Sequence, residues 1–154
     1  MMSDNQKPVV FLAFANAHDD RSRYLRNLPE EARRLQDTLE RARQDGLCDN
    51  VVRQNATVQD VLNVFQSPEY RDRIAVFHFG GHANGYQLLL ESSEGAPAAA
   101  DAGGLARFLG QQTGLQLVFL NGCSTQQQVH GLLDAGVSAV IATSHAIQDQ
   151  VAMD

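Results

Sequence analysis

The chain has no tryptophan, and only two cysteines and four prolines among its 154 residues. Two thiols, Cys48 and Cys123, cannot build a disulfide framework, so a reducing, cytoplasmic setting is expected. Basic residues are nearly missing from the second half, where Arg107 is the sole Lys or Arg after Arg73. In the first half Arg33, Arg34, Arg41 and Arg43 are interleaved with Glu30, Glu31, Asp37, Glu40 and Asp45. That is a solvated helix face with paired charges, and a nucleic-acid binder would need a basic stripe free of acids. Long apolar runs are absent too, none nearing the ~20 residues that span a bilayer. The opening MMSDNQKPVV has no basic segment followed by an apolar one, so it does not read as a signal peptide. No GxxxxGK[ST], no GxGxxG after the first strand and no GxSxG occurs, which disfavours the usual nucleotide enzymes and α/β-hydrolases.

What is present is ordinary for one globular domain: 44% hydrophobic and 19% charged residues, with a net charge of −6. Strand-like and helix-like segments alternate. Val9 to Phe14 (VVFLAF) reads as a buried strand. Pro29 suits a first helical position, with Glu30 and Glu31 in the first turn, and Ala32, Leu35, Leu39 and Ala42 on one face up to Gly46. Val51 and Val52 form a second strand. Thr57 and Asp60 make a capping pair for a helix that buries Val58, Val61, Leu62 and Phe65, stopped at Ser67-Pro68. Ile74 to Phe79 is a third strand broken by Gly80-Gly81. Tyr86 to Glu91 is an extra strand entered through Asn84-Gly85, and Ser92 to Gly104 reads as a loop. Leu105, Phe108 and Leu109 mark a helix, and Leu115 to Leu120 a strand. Thr125 is the expected cap of a helix that turns Val129, Leu132 and Leu133 inward and ends at Gly136. Val137 to Thr143 is a last strand. The expectation is an α/β three-layer sandwich, a mostly parallel sheet with helices on both faces.

Ligands in such a sheet bind beyond the carboxyl ends of the strands. Gly80-Gly81-His82-Ala83-Asn84-Gly85, Asn121-Gly122-Cys123-Ser124-Thr125 and Ser144-His145 with Asp149 are the segments there. His82 and Cys123 each stand three residues past a strand. If those two strands are neighbours, a thiol nucleophile and an imidazole base face each other across a crevice. Alone, Cys123 reads as a buried thiol; with His82 at the matching position it reads as reactive, helped by the helix start expected at Thr125. His145 is a rival base. His78, inside its strand, reads as a core histidine or one supporting the site. His130 reads as surface, His18 carries no assigned role, and Cys48 is bland. A zinc site is disfavoured, because no Cys/His cluster supplies ligands around His78 and His82, and no cofactor is expected.

The residues carry a resemblance. VVFLAFANAHDD with the PEEARRLQDTLERA helix, TVQDVLNVF, VFHFGGHANG, LVFLNGCSTQQQV and GVSAVIATSHAIQDQ together resemble the CHAT domain, a caspase-like cysteine peptidase domain of the clan holding caspases, separases and gingipains. The resemblance spans nearly the whole chain. It implies His82 as catalytic histidine, Cys123 as nucleophile, and an oxyanion held by backbone N–H groups at Gly81, Ala83 and Cys123. It makes Asp149 the acid that would accept a basic P1 side chain. The chain departs from the family at Ala83, where glycine is common, and at Ser144-His145, where an aromatic is common. It implies a protein or peptide substrate, a regulatory domain or partner, and a bacterial defence or cell-death setting. It also implies that residues 1–154 are the dyad-bearing part of the domain, with its C-terminal part missing. Two alternatives remain. One is a catalytically silent CHAT-like interaction module. The other is a TIR-like domain that assembles or cleaves NAD, suggested by FLAFANAHDD; it would need a pocket acid from Asp19, Asp20, Asp149 or Glu91.

Overall fold

The structure, a computed structural model, describes residues 7–16, 25–82, 87–91, 97–122 and 125–142. Five parallel strands form one sheet in the order β2-β1-β3-β6-β7: β1 Val9–Ala15, β2 Asp49–Arg53, β3 Ile74–Gly81, β6 Leu117–Asn121 and β7 Ala139–Ala142. β4 Gln87–Glu91 and β5 Pro97–Asp101 pair antiparallel as a separate two-stranded sheet. The helices are α1 Leu28–Gln44, α2 Val58–Gln66, α3 Ala102–Gly110 and α4 Val129–Ala135. No helix among the described residues is long and apolar enough to cross a membrane.

The two faces of β1 sort the core. Val9, Phe11, Ala13 and Ala15 pack with Val61, Val64 and Phe65 of α2, Ala106 and Leu109 of α3, and Leu132 of α4. Val10, Leu12 and Phe14 pack with Leu28, Ala32, Leu35 and Leu39 of α1. This follows from chain direction. α1 carries the chain from β1 outward to β2, whereas the other three helices carry it the opposite way, so crossovers of one hand put them on opposite faces. The α/β sandwich with helices on both faces is therefore what the alternating pattern implied. Among the described residues α1 is the one helix on its face, and on that side Ile141 of β7 is 49% exposed.

Several local signals hold. Thr57 Oγ1 accepts from the Asp60 N–H and the Asp60 carboxylate accepts from the Thr57 N–H, a reciprocal cap on α2. Pro29 lies in the first turn of α1, and Glu30 pairs with Arg34 and Glu40 with Arg43 along its exposed face. The Arg43 guanidinium holds the Glu40 carboxyl below its ordinary range.

Others need correction. Gly80-Gly81 does not break β3, which runs through both. A Cβ at Gly80 would lie 2.8 Å from the Phe14 ring, and one at Gly81 2.5 Å from the Ala15 carbonyl oxygen. These glycines let β3 and β1 approach rather than end a strand. The 92–104 stretch contains β5 and the start of α3, not a loop alone. Val58 and Leu133 are exposed, and in α2 Val64 takes the buried place expected of Val58. The turn at Asn84-Gly85 lies outside the described residues.

Candidate active site

β3 and β6 are neighbours, paired in parallel from Val76↔Leu117 to Gly80↔Asn121. The condition on which the dyad depends is thus met at strand level. β3 runs to Gly81 and β6 to Asn121, so His82 follows its strand directly and Cys123 stands two positions past its own, not three each; both follow the last β3–β6 pair, Gly80↔Asn121, by two positions. Parallel strands lie ~4.8 Å apart, so the ends of β3 and β6 stand side by side at the carboxyl edge of the sheet. His82 is half-buried at the end of β3, and Gly81 and Gly122 are buried beside it. Cys123, Ala83, His145 and Asp149 lie outside the described residues, as do His18, Asp19 and Asp20. Glu91 ends β4.

The helix start expected beside Cys123 is different from the sequence reading. Thr125–Gln128 is a 3-10 turn, and α4 begins only at Val129, after Gln128 with no side-chain cap. Thr125 is fully buried, and its hydroxyl donates to the Leu120 carbonyl at 3.1 Å. It ties the chain back to the end of β6 and does not cap α4, so no α-helix begins at Thr125 to lend its dipole to position 123.

Beneath the strand ends sits a polar cluster that sequence reasoning missed. Glu31, in the first turn of α1, is 8% exposed. Asn121 Nδ2 donates to its Oε1 at 2.7 Å, and His78 Nε2 lies 3.6 Å from the same oxygen. His78 is 4% exposed, with its ring centroid 5.7 Å from that of Phe14 and 4.8 Å from that of Phe119. Its Nε2 is buried without a hydrogen-bond partner. The lateral register explains the grouping: His78 pairs with Phe119, and Asn121 stands two further along β6 on the same face, the face α1 covers. A cavity of about 180 Å³ opens beside them, walled by Leu35, Thr38, Arg34 and Phe119. The signal for Glu31 was present in its spacing, four residues before Leu35 on the buried side of α1. Its partner, ninety positions away, had no local signal.

His78 is thus a core histidine in contact with the site's underside, and His130 is exposed on α4. Cys48 is buried before β2 with its Sγ 3.4 Å from Asn50 Oδ1, and burial, with the Asp49 carboxylate second, pushes its thiol pKa up. Among the described residues no three His, Cys, Asp or Glu side chains converge where they could hold a metal ion. Neither a scan of family models nor a search of curated proteins finds a match to this chain.

Proposed function

We propose that this chain is a cysteine peptidase of the CHAT, caspase-like type, working through a Cys123–His82 dyad. The observation that carries the reading is the β3–β6 adjacency, with His82 and Cys123 at equal distances past the paired residues Gly80 and Asn121. Two residues of the right chemistry at matching exits from central parallel strands are what a thiol–imidazole pair requires.

The reaction is acyl transfer. The Cys123 thiol passes its proton to His82 as its sulfur attacks a peptide carbonyl carbon, and the oxyanion is met by backbone N–H groups around Gly81, Ala83 and Cys123. The C–N bond breaks as His82 delivers a proton to the leaving amine. Water then attacks the thioester, releasing the acid and returning the thiol. No cofactor enters these steps. The resemblance supplies the finer assignments: a basic P1 residue met by Asp149, a cytoplasmic setting, and control by a regulatory partner in bacterial defence or cell death.

A peptidyl acyloxymethyl ketone with arginine at P1 tests the dyad. Wild type should be labelled at Cys123, Cys123→Ala not at all, and His82→Ala slowly. Labelling of His82→Ala at the wild-type rate overturns the dyad. An unlabelled wild type points to a silent interaction module, and release of nicotinamide from NAD points to the TIR-like chemistry instead.

A further inference from the structure

The cluster under the strand ends joins three elements through one carboxylate. Glu31 comes from α1, His78 from β3 four residues before His82, and Asn121 from β6 two residues before Cys123. Arg34, also on α1, bonds Glu30 at 3.0 Å. A buried carboxylate is costly to desolvate, and it is tolerated here because it accepts a short, charge-assisted bond from the Asn121 amide. That bond is directional, so it fixes the rotamer of Asn121 and with it the end of β6. On the other side the His78 ring is held edge-on against Phe119, its β6 neighbour, at an interplanar angle of 80°. The end of β6 is thus bonded to the carboxylate, and the His78 ring of β3 packs beside the same oxygen, its Nε2 at 3.6 Å and without a hydrogen bond.

We infer that Glu31 is a positioning residue: through Asn121 its carboxylate sets the end of β6, two residues before Cys123, against the end of β3, one residue before His82. This rests on the dyad reading above. Glu31 touches no reacting atom. It acts on the approach of sulfur and imidazole to a substrate carbonyl, where a misplacement near 1 Å costs on the order of a hundredfold in rate.

The experiment measures the rate of Cys123 labelling by the arginyl ketone in intact protein, with thermal melts alongside. Glu31→Ala is expected to react about ten- to a hundredfold more slowly. Glu31→Gln should recover to within a few-fold of wild type, because its amide oxygen accepts the same bond. Asn121→Ala should be as slow as Glu31→Ala, and the double variant no slower than either, since both remove one interaction. If Glu31→Ala does not fold, Glu31→Gln and Asn121→Ala decide the matter with the same expectations. The proposal is overturned if Glu31→Ala or Asn121→Ala labels at the wild-type rate while His82→Ala is slow. It is equally overturned if Glu31→Gln stays as slow as Glu31→Ala, or if the double variant shows additive losses. Failure of the dyad reading looks different: there His82→Ala itself keeps the wild-type rate.

Discussion

Replacing Gly81 with alanine places a methyl group 2.5 Å from the Ala15 carbonyl oxygen and 3.0 Å from the Phe79 ring. An ordinary contact starts near 3.4 Å, so the ends of β1 and β3 must separate by several tenths of an ångström at least. The obstacle is backbone, which cannot swing aside as a side chain does. Overpacking of this kind costs about 1–3 kcal/mol. In a chain of this size 1 kcal/mol shifts Tm by roughly 2–4 °C, so a middle value near 2 kcal/mol predicts a fall of roughly 4–8 °C. The displacement falls on the residue before His82, so labelling of Cys123 by the arginyl ketone should slow about tenfold or more. Gly46→Ala is the control. Gly46 has a φ of +75° with nothing within 4 Å of its would-be Cβ. It should lose about 1 kcal/mol to left-handed strain and leave labelling untouched. If Gly81→Ala labels at the wild-type rate, even with a lowered Tm, the spacing of the strand ends does not govern the site. If its Tm is also unchanged, the close approach of β1 and β3 is itself wrong.

Phe65→Ala should cost about 3–5 kcal/mol in urea unfolding, because the ring is buried edge-on to Phe11, Phe77 and Phe108 at 5.5–5.6 Å; a loss under 1 kcal/mol would contradict that packing. Arg73→Met removes the pairing with Asp49 at 2.6 Å and bonds to the Lys7 and Glu69 carbonyls. It should lower stability by about 1–3 kcal/mol, and an unchanged midpoint would show the guanidinium to be idle. Cys48, whose thiol burial holds in its protonated form, should resist iodoacetamide at pH 7.5 in the folded protein and react once urea unfolds it; peptide mapping that finds Cys48 alkylated before Cys123 would reverse this assignment.

What was legible along the chain was what short-range chemistry encodes. The Thr57/Asp60 cap involves neighbours within one turn, and the apolar runs at Val9 and Ile74 need no partner to be recognised as strands. Gly80-Gly81 misled because a glycine pair signals a break locally, whereas its cause is the side of another strand. The β5 segment PAAAD escaped notice because alanine and proline have little strand preference and the pairing with β4 overrides it. Thr125 misled similarly, since its hydroxyl goes back to Leu120 instead of forward to a helix. The Glu31–Asn121 bond spans ninety positions and was invisible for the same reason.

The proposed dyad lies one strand away from where a general rule for such sheets puts a crevice. In an open α/β sheet the crevice is expected where strand order reverses, here between β1 and β3. The residue at the end of β1 is Asn16, and both ends of its amide are committed: Nδ2 donates to the Leu25 carbonyl at 2.9 Å and Oδ1 accepts from the Leu25 N–H at 2.7 Å. That side chain pins the chain ahead of α1, and the glycines of β3 close the remaining gap by drawing β1 in. One strand further, at the end of β6, the Thr125 hydroxyl ties the chain back to the Leu120 carbonyl, and a carboxylate, an imidazole and an amide are collected under the edge. Asn16 holds Leu25, whose carbonyl also accepts from the Leu28 N–H at the start of α1, three residues before Glu31. The clamp at the end of β1 and the Glu31–Asn121 bond under β6 are thus linked through the first turn of α1, so loosening Asn16 should also weaken the hold on Asn121.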